Sequence, residues 1–96
     1  MSDEIRRCWL CGANGSKDPL EEHHIFGGPN RALSDKYGLT VYLCGNKCHR
    51  NGPFAAHRNA ETMKTIRQYG QRKAMYEQNW TVEDFVKVFG RNYIDD

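Results

Sequence analysis

The most regular alternation of apolar and polar positions lies near residues 82–89. Apolar side chains recur there at intervals of three and four residues, the spacing of one helix face, at Val82, Phe85, Val86 and Phe89. Thr81 and Asp84 match a capping box at the start of this stretch, and Gly90 suits a helix C-terminus. The pattern predicts a short amphipathic helix.

A longer helix is predicted at about residues 60–78, with Asn59 as its N-cap. Its larger apolar side chains fall near one face, at Met63, Ile66, Tyr69 and Tyr76. Gly70 interrupts the stretch, so it either weakens the helix or marks a close contact.

Two short strands precede these helices. Residues 20–26 (Leu-Glu-Glu-His-His-Ile-Phe) are followed by the breaker Gly-Gly-Pro-Asn, and residues 39–44 are rich in β-formers and end in a cysteine. Residues 31–38 between them are predicted as a loop or a short helical turn. The elements indicate an α+β fold, with a hairpin followed by C-terminal α-helices.

The chain of 96 residues fits one domain, and hydrophobic residues make up only 39% of it. A core this small usually needs a disulfide, a metal or a partner chain. Residues 1–7 are polar and charged, unlike a signal peptide, and no stretch has the length of a membrane span. We therefore expect a cytoplasmic protein with no membrane partner, in a bacterium or a cell that hosts a virus, where cysteine pairs bind metal.

Positive charge is concentrated in one segment, although the net charge is only +2. Residues 47–73 carry one acid, Glu61, against Lys47, Arg50, Arg58, Lys64, Arg67, Arg72 and Lys73. Such clustering is typical of a surface that binds a polyanion, and the alternative is a solvated helix face. We expect contacts to the nucleic-acid backbone without base readout, mainly by Arg50, Arg58, Lys64 and Arg67.

Four cysteines form two pairs, Cys8-x2-Cys11 and Cys44-x3-Cys48, separated by 32 residues. Two short knuckles of this kind can bring four thiolates onto one tetrahedral Zn²⁺, which leaves no position for water. We therefore predict a structural zinc. The alternatives are disulfides, unrelated buried thiols, or a zinc held by three cysteines with His49 or His57.

The four histidines lie inside or just after this cysteine framework, at His23, His24, His49 and His57. Imidazole is the commonest transition-metal ligand and the side chain best matched to accept a proton near neutral pH. Histidines without a chemical role, on the surface or in the core, are the alternative. Their gathering around the cysteine pairs favours metal binding or catalysis.

The order of these motifs resembles that of HNH endonucleases, which belong to the ββα-metal (His-Me finger) nucleases. The similar elements are Glu22-His23-His24-Ile25 and the run Leu39-Thr40-Val41-Tyr42-Leu43-Cys44-x3-Cys48-His49. Small phage-encoded HNH proteins look most similar over residues 8–58, and Phe-Gly-Arg-Asn-Tyr at 89–93 looks like the end of that type. The resemblance implies one domain, 1–96, with a zinc-stapled, treble-clef-like ββα-metal core at 8–58 and a helical extension at 59–96.

The resemblance also implies metal-dependent hydrolysis of DNA phosphodiester bonds. His24 falls on the general base of the family and His23 on a ligand of the catalytic metal, while His57, His49 or both would supply the further ligand. A divalent metal (Mn²⁺, Ni²⁺, Zn²⁺ or Mg²⁺) would contact the scissile phosphate and the departing 3′ oxygen. Because the site is rich in histidine and lacks an aspartate, it should favour the first three metals over Mg²⁺.

Two departures from the family pattern leave other functions to consider. Leu39 stands where the family has an asparagine that braces the base loop. An ideal strand would also send His23 and His24 to opposite faces unless it ends or twists there. A non-catalytic zinc module that binds DNA, or a phage or host DNA-processing partner, is the alternative. A third candidate function is docking in a phage assembly through the last helix. If the protein is a nuclease, a homodimer would make it easier to cut both DNA strands.

Overall fold

The structure, a computed structural model, describes residues 6–94, and its elements follow the predicted order. Within these residues there are two strands and three α-helices: β1 (Leu20–His24), α1 (Arg31–Lys36), β2 (Thr40–Cys44), α2 (Ala60–Gln78) and α3 (Val82–Phe89). A 3₁₀ turn precedes α1 and a π-helical turn follows β2. The predicted α+β class is confirmed, although both strands are shorter than predicted.

β1 and β2 form a two-stranded sheet. Backbone hydrogen bonds mark both of its ends: the Gly45 N–H donates to the Pro19 carbonyl at 2.9 Å, and the Ile25 N–H donates to the Leu39 carbonyl at 3.0 Å. Because the residue after one strand pairs with the residue before the other at both ends, the strands are antiparallel. The strand that carries the two adjacent histidines, β1, ends at the second of them, His24.

The described chain divides into two units that interleave in sequence. The first takes in the residues up to His23 together with Val41–Thr62, and the second takes in His24–Thr40 together with the residues from Met63 onward. The four cysteines and three of the four histidines belong to the first unit. The fourth histidine is the first residue of the second unit.

Aromatic rings form the core of the second unit. The ring centroid of Phe26 lies 4.9 Å from that of Phe89 and 5.2 Å from that of Tyr93, and Phe85 stacks on Phe89 at 4.6 Å. The buried side chain of Gln71 accepts a hydrogen bond from the Tyr93 N–H, so α2 holds the segment that follows α3. The apolar face predicted for α3 is thus a packed face.

Local signals set the helix ends as predicted. The Thr81 hydroxyl accepts a hydrogen bond from the Asp84 N–H at 3.2 Å, and the Asp84 carboxylate accepts one from the Thr81 N–H at 3.0 Å, which completes the capping box. Gly90 ends α3 with a φ of +87°, and Asn59 accepts a hydrogen bond from the Thr62 N–H at the start of α2. Within the part of the chain that the structure describes, no helix combines the length and the apolar character needed to cross a bilayer.

The buried residues of α2 are of mixed size, and of the predicted apolar face only Ile66 is among them. Ile66 and Ala74 are buried, and Gly70 lies between them at one-turn spacing. The large aromatic residues lie elsewhere, since Tyr69 is 36% exposed and Tyr76 is 88% exposed. Apolar size alone was therefore a poor guide to the buried face, and at Gly70 the close approach of Ile25 and Phe26 leaves no space for a side chain.

Replacing Gly70 by alanine should destabilise the protein, although alanine is the better helix former. A Cβ atom at this position would lie 2.6 Å from Ile25 Cγ2 and 3.0 Å from Phe26 Cε2. Forcing an extra methyl group into such a contact costs about 1–3 kcal/mol, whereas helix propensity returns about 1 kcal/mol. Thermal unfolding checks this, with Arg72→Ala at an exposed position of α2 as the control. A Gly70→Ala protein as stable as the wild type would contradict the expectation.

Candidate metal centres

The first cysteine knuckle is a tight turn that points an N–H group at sulfur. The Gly12 N–H donates to the Cys8 carbonyl at 2.9 Å, with Gly12 at a φ of +80°. The Cys11 N–H donates to Cys8 Sγ at 3.4 Å. The Trp9 N–H donates to the Tyr42 carbonyl at 2.8 Å, so β2 holds the knuckle in place.

The second knuckle begins where β2 ends and continues into the π-helical turn. Cys44 is the last residue of β2, and Cys48 lies within the turn. The Asp18 carboxylate stabilises the start of the turn, because it accepts hydrogen bonds from the N–H groups of Asn46 at 2.9 Å and Lys47 at 2.8 Å. Both cysteines are therefore held by regular backbone rather than by a loose loop.

The four cysteine sulfurs lie together, as the spacing predicted. They are within 4.8 Å of one another, Cys11 Sγ is 3.6 Å from Cys44 Sγ, and all four thiols are free of disulfides. In a tetrahedral site with Zn–S bonds of about 2.3 Å, the sulfurs stand about 3.8 Å apart. The cluster therefore fits one tetrahedral metal ion, and its soft sulfur donors suit zinc.

Burial and hydrogen bonding act in opposite directions on these thiols. Burial opposes ionisation of Cys8, but backbone hydrogen bonds from Cys11, Cys44 and Leu10 outweigh it and lower the pKa of Cys8 to about 6. Burial and the neighbouring thiols raise the pKa of Cys44 to about 11, and burial likewise raises the pKa of Cys48. One thiolate forms readily, whereas a cation is needed to offset the charge of the others.

Three histidines form a second cluster in the first unit. His23 Nδ1 lies 3.3 Å from His49 Nε2, and His57 Nε2 lies 3.1 Å from the same atom. With metal–nitrogen bonds of about 2.0–2.1 Å, tetrahedral ligand atoms stand about 3.3–3.4 Å apart, so the three rings could hold a metal ion. His57, the preferred further ligand, and His49, the next candidate, both join His23, and the cysteine cluster is complete without them.

The histidine cluster is held by the strand, the π-helical turn and the loop after it. His23 lies on β1 and His49 in the turn, and both are buried, while the His57 N–H donates to the His49 carbonyl at 3.1 Å. Loss of hydration, with the neighbouring His49 and Arg50, lowers the pKa of His57. The neutral ring, which is the form that binds metals, is therefore favoured at neutral pH.

His24 lies in the second unit and has a different partner. Its Nε2 lies 2.7 Å from Oδ1 of Asp35 in α1, and the His24 side chain is 15% exposed. A carboxylate at one ring nitrogen favours a proton there and leaves Nδ1 as an acceptor. Ser34 is buried and exchanges hydrogen bonds with the Phe26 backbone, so its hydroxyl has a structural role.

Two carboxylates at these sites were not found from the sequence. Glu21 accepts a hydrogen bond from His49 Nδ1, 28 residues away, and Asp35 bonds His24, 11 residues away. No local spacing pairs residues so distant in the chain. The one signal available was the position of Glu21 two residues before His23, because alternate residues of a strand share a face.

The four basic residues predicted to contact nucleic acid differ in their surroundings. Arg50 donates to the Glu21 carboxylate at 3.0 Å, and the Arg67 guanidinium lies over an aromatic ring. Arg58 and Lys64 are exposed. These two are therefore the cations best placed to meet a phosphate from solvent.

The chain matches no family model, no curated protein and no solved structure. The chemical features that bear on its function are a thiol cluster, an imidazole cluster and a histidine–carboxylate pair.

Proposed function

We propose that this protein is a metal-dependent endonuclease that hydrolyses DNA phosphodiester bonds, of the HNH kind that its motifs resemble. The observation that carries the proposal is the cluster of His23, His49 and His57, whose ring nitrogens lie at metal-ligand spacing. Four thiolates around a structural zinc leave no position for substrate, so the chemistry falls to the histidines. Their proposed metal is Mn²⁺, Ni²⁺, Zn²⁺ or Mg²⁺.

His24 is the proposed general base. It follows His23 directly, so its Cα is about 3.8 Å from that of a proposed metal ligand. With Asp35 at Nε2, the His24 Nδ1 atom is left to accept the proton of an attacking water. The carboxylate then offsets the positive charge of the imidazolium, as aspartate does in serine-protease triads.

A bound divalent metal supplies Lewis-acid stabilisation of the phosphate and of the departing 3′ oxygen. His24 takes a proton from water while the water oxygen attacks phosphorus and the bond from phosphorus to the 3′ oxygen breaks. Asp35 would take over the bracing task of the family's asparagine, whose position is filled by the buried Leu39. The brace for the base then comes from α1 instead of from the residue before β2.

A non-catalytic zinc module that binds DNA, or a phage or host DNA-processing protein, is the second candidate. The fully buried Leu39 favours it, since an apolar side chain stands where the resemblance expects a polar one. In that case the three histidines form a hydrogen-bonded group in which His49 Nε2 serves as an acceptor, with His23 and His49 buried and His57 exposed. Both candidates would act in the cytoplasm of a bacterial host cell.

Plasmid nicking by the wild type distinguishes the two candidates. Zinc-loaded protein should convert supercoiled DNA to nicked or linear DNA when Mn²⁺ or Ni²⁺ is added, and should leave it intact with a chelator. Elemental analysis should find a second metal per chain for the enzyme and one zinc for the binding module. If the protein holds one zinc and cuts DNA with none of these metals, the endonuclease is rejected and the non-catalytic binding module is the better candidate.

Removing two exposed cations should weaken DNA binding equally for all sequences. The double variant Arg58→Ala/Lys64→Ala loses two candidate phosphate contacts, so the slope of log affinity against log salt should fall by about 1.8. Lys17→Ala/Lys87→Ala removes the same charge from exposed positions outside residues 47–73 and is the matched control. Fluorescence anisotropy over a salt series measures both slopes. Equal affinities for the two double variants would reject the basic segment as the contact surface.

A further inference from the structure

The carboxylate of Glu21 touches the histidine cluster without being one of its candidate ligands. Its Oε1 accepts hydrogen bonds from His49 Nδ1 at 2.7 Å and from Arg50 Nε at 3.0 Å. Both neighbours donate to the same oxygen, so the carboxylate is the acceptor in each bond. Glu21 lies beside the cluster because it is two residues before His23 on β1.

Gly45 leaves the space that this carboxylate occupies. A Cβ atom at Gly45 would lie 2.9 Å from Glu21 Cδ, 3.1 Å from Oε2 and 3.2 Å from Cγ. The backbone there is fixed, since Gly45 is buried and its N–H donates to the Pro19 carbonyl at 2.9 Å. The Glu21 side chain is thus confined by the backbone of Gly45 on one side and by two hydrogen bonds on the other.

The contact with Glu21 decides which nitrogen of His49 carries the proton. An imidazole that binds a metal has one N–H and one lone pair, and a carboxylate oxygen 2.7 Å from Nδ1 accepts the N–H at that atom. The lone pair is then on Nε2, the atom that lies 3.3 Å from His23 Nδ1 and 3.1 Å from His57 Nε2. Metal-binding histidines commonly donate their other N–H to a carboxylate in this way.

We infer that Glu21 is a positioning residue for a metal ion in the histidine cluster, because it directs the lone pair of His49 Nε2 toward that ion. The inference rests on the metal site of the proposed function. It adds that Glu21, through His49, raises the affinity of this site for the metal. Loss of such a partner typically weakens metal binding by about 10–100-fold. Glu21→Ala should show a loss of that size.

Calorimetric titration of the zinc-loaded protein with Ni²⁺ tests this without measuring cleavage. Glu21→Gln should lose less affinity than Glu21→Ala, since an amide oxygen can still accept the Nδ1 proton. Gly45→Ala should weaken Ni²⁺ binding as well, because it displaces the carboxylate without removing it. Glu22→Ala, which removes the next acid along β1 at an exposed position, is the matched control and should bind like the wild type.

The outcomes separate this inference from the proposed function. Ni²⁺ binding by the wild type that is lost in His57→Ala and unchanged in Glu21→Ala would overturn the role of Glu21 alone. No binding of Ni²⁺ by the wild type would overturn the metal site together with the inference. If Glu21→Ala loses its fold, as judged by thermal unfolding, then Glu21→Gln and Gly45→Ala decide the matter, and wild-type affinity in both would reject it.

Discussion

Cys8→Ser and Cys44→Ser, one from each knuckle, should each leave the first unit unfolded and free of zinc. Structural zinc contributes about 10–16 kcal/mol in zinc-finger peptides at neutral pH, as much as the roughly 5–15 kcal/mol by which a whole domain is stable. Three of the four cysteines are buried, and the described part of the first unit buries few large apolar side chains, so little else would hold the knuckles together. A hydroxyl in place of one thiolate is a poor zinc ligand.

Circular dichroism and zinc content of the purified variants measure this effect. Ala13→Ser places a hydroxyl at an exposed position of the first knuckle and should remain folded with its zinc. Treatment of the wild type with a chelator should reproduce the unfolding, and added Zn²⁺ should reverse it. A folded, zinc-free Cys8→Ser protein would show that the cluster is not a structural metal site.

His24→Ala should lower the rate of DNA cleavage by about 10²–10⁴-fold, the usual contribution of a positioned general base. The fold and the metal content should not change, because His24 belongs to neither ligand cluster. Asp35→Asn should have a smaller effect. Its side-chain oxygen can still accept the Nε2 proton, but it no longer offsets the charge of the imidazolium.

Single-turnover nicking with saturating metal separates this chemical role from binding. Glu22→Ala again serves as the control, since it alters the exposed acid two residues before His24. DNA affinity of His24→Ala should equal that of the wild type. Cleavage by His24→Ala at the wild-type rate would reject the base assignment and leave the two metal clusters unaffected.

The fold was predictable where the signal is local. The start of α2 and both ends of α3 follow from Asn59, from the Thr81–Asp84 capping box and from Gly90, each of which acts within one helical turn. The buried face of α2 was not predictable in this way. It depends on how closely Ile25 approaches Gly70, a contact between residues far apart in sequence.

The same distinction applies to the candidate sites. Cysteine spacing predicted the thiol cluster because each pair of ligands lies on one short turn. For the histidines, the sequence supplied the candidates and ranked His57 ahead of His49, but it could not show that a backbone hydrogen bond in the folded chain brings the two together. Glu21 and Asp35 were missed because an acidic residue acquires its partner only when the strands and α1 are in place.

The interleaved course of the chain extends the influence of the thiol cluster to residues that belong to the second unit. Cys11 and Cys44 bound a segment of 32 residues, and the middle of that segment, His24–Thr40, belongs to the second unit. Tying the ends of a loop this long lowers the conformational entropy of the unfolded chain, an effect of about 3–4 kcal/mol at 25 °C. A zinc on the four cysteines would therefore stabilise the second unit by restricting its unfolded state. Removing that zinc should lower the temperature at which α1 unfolds. Because Asp35 lies in α1, its hydrogen bond to His24 should then be lost at a lower temperature as well.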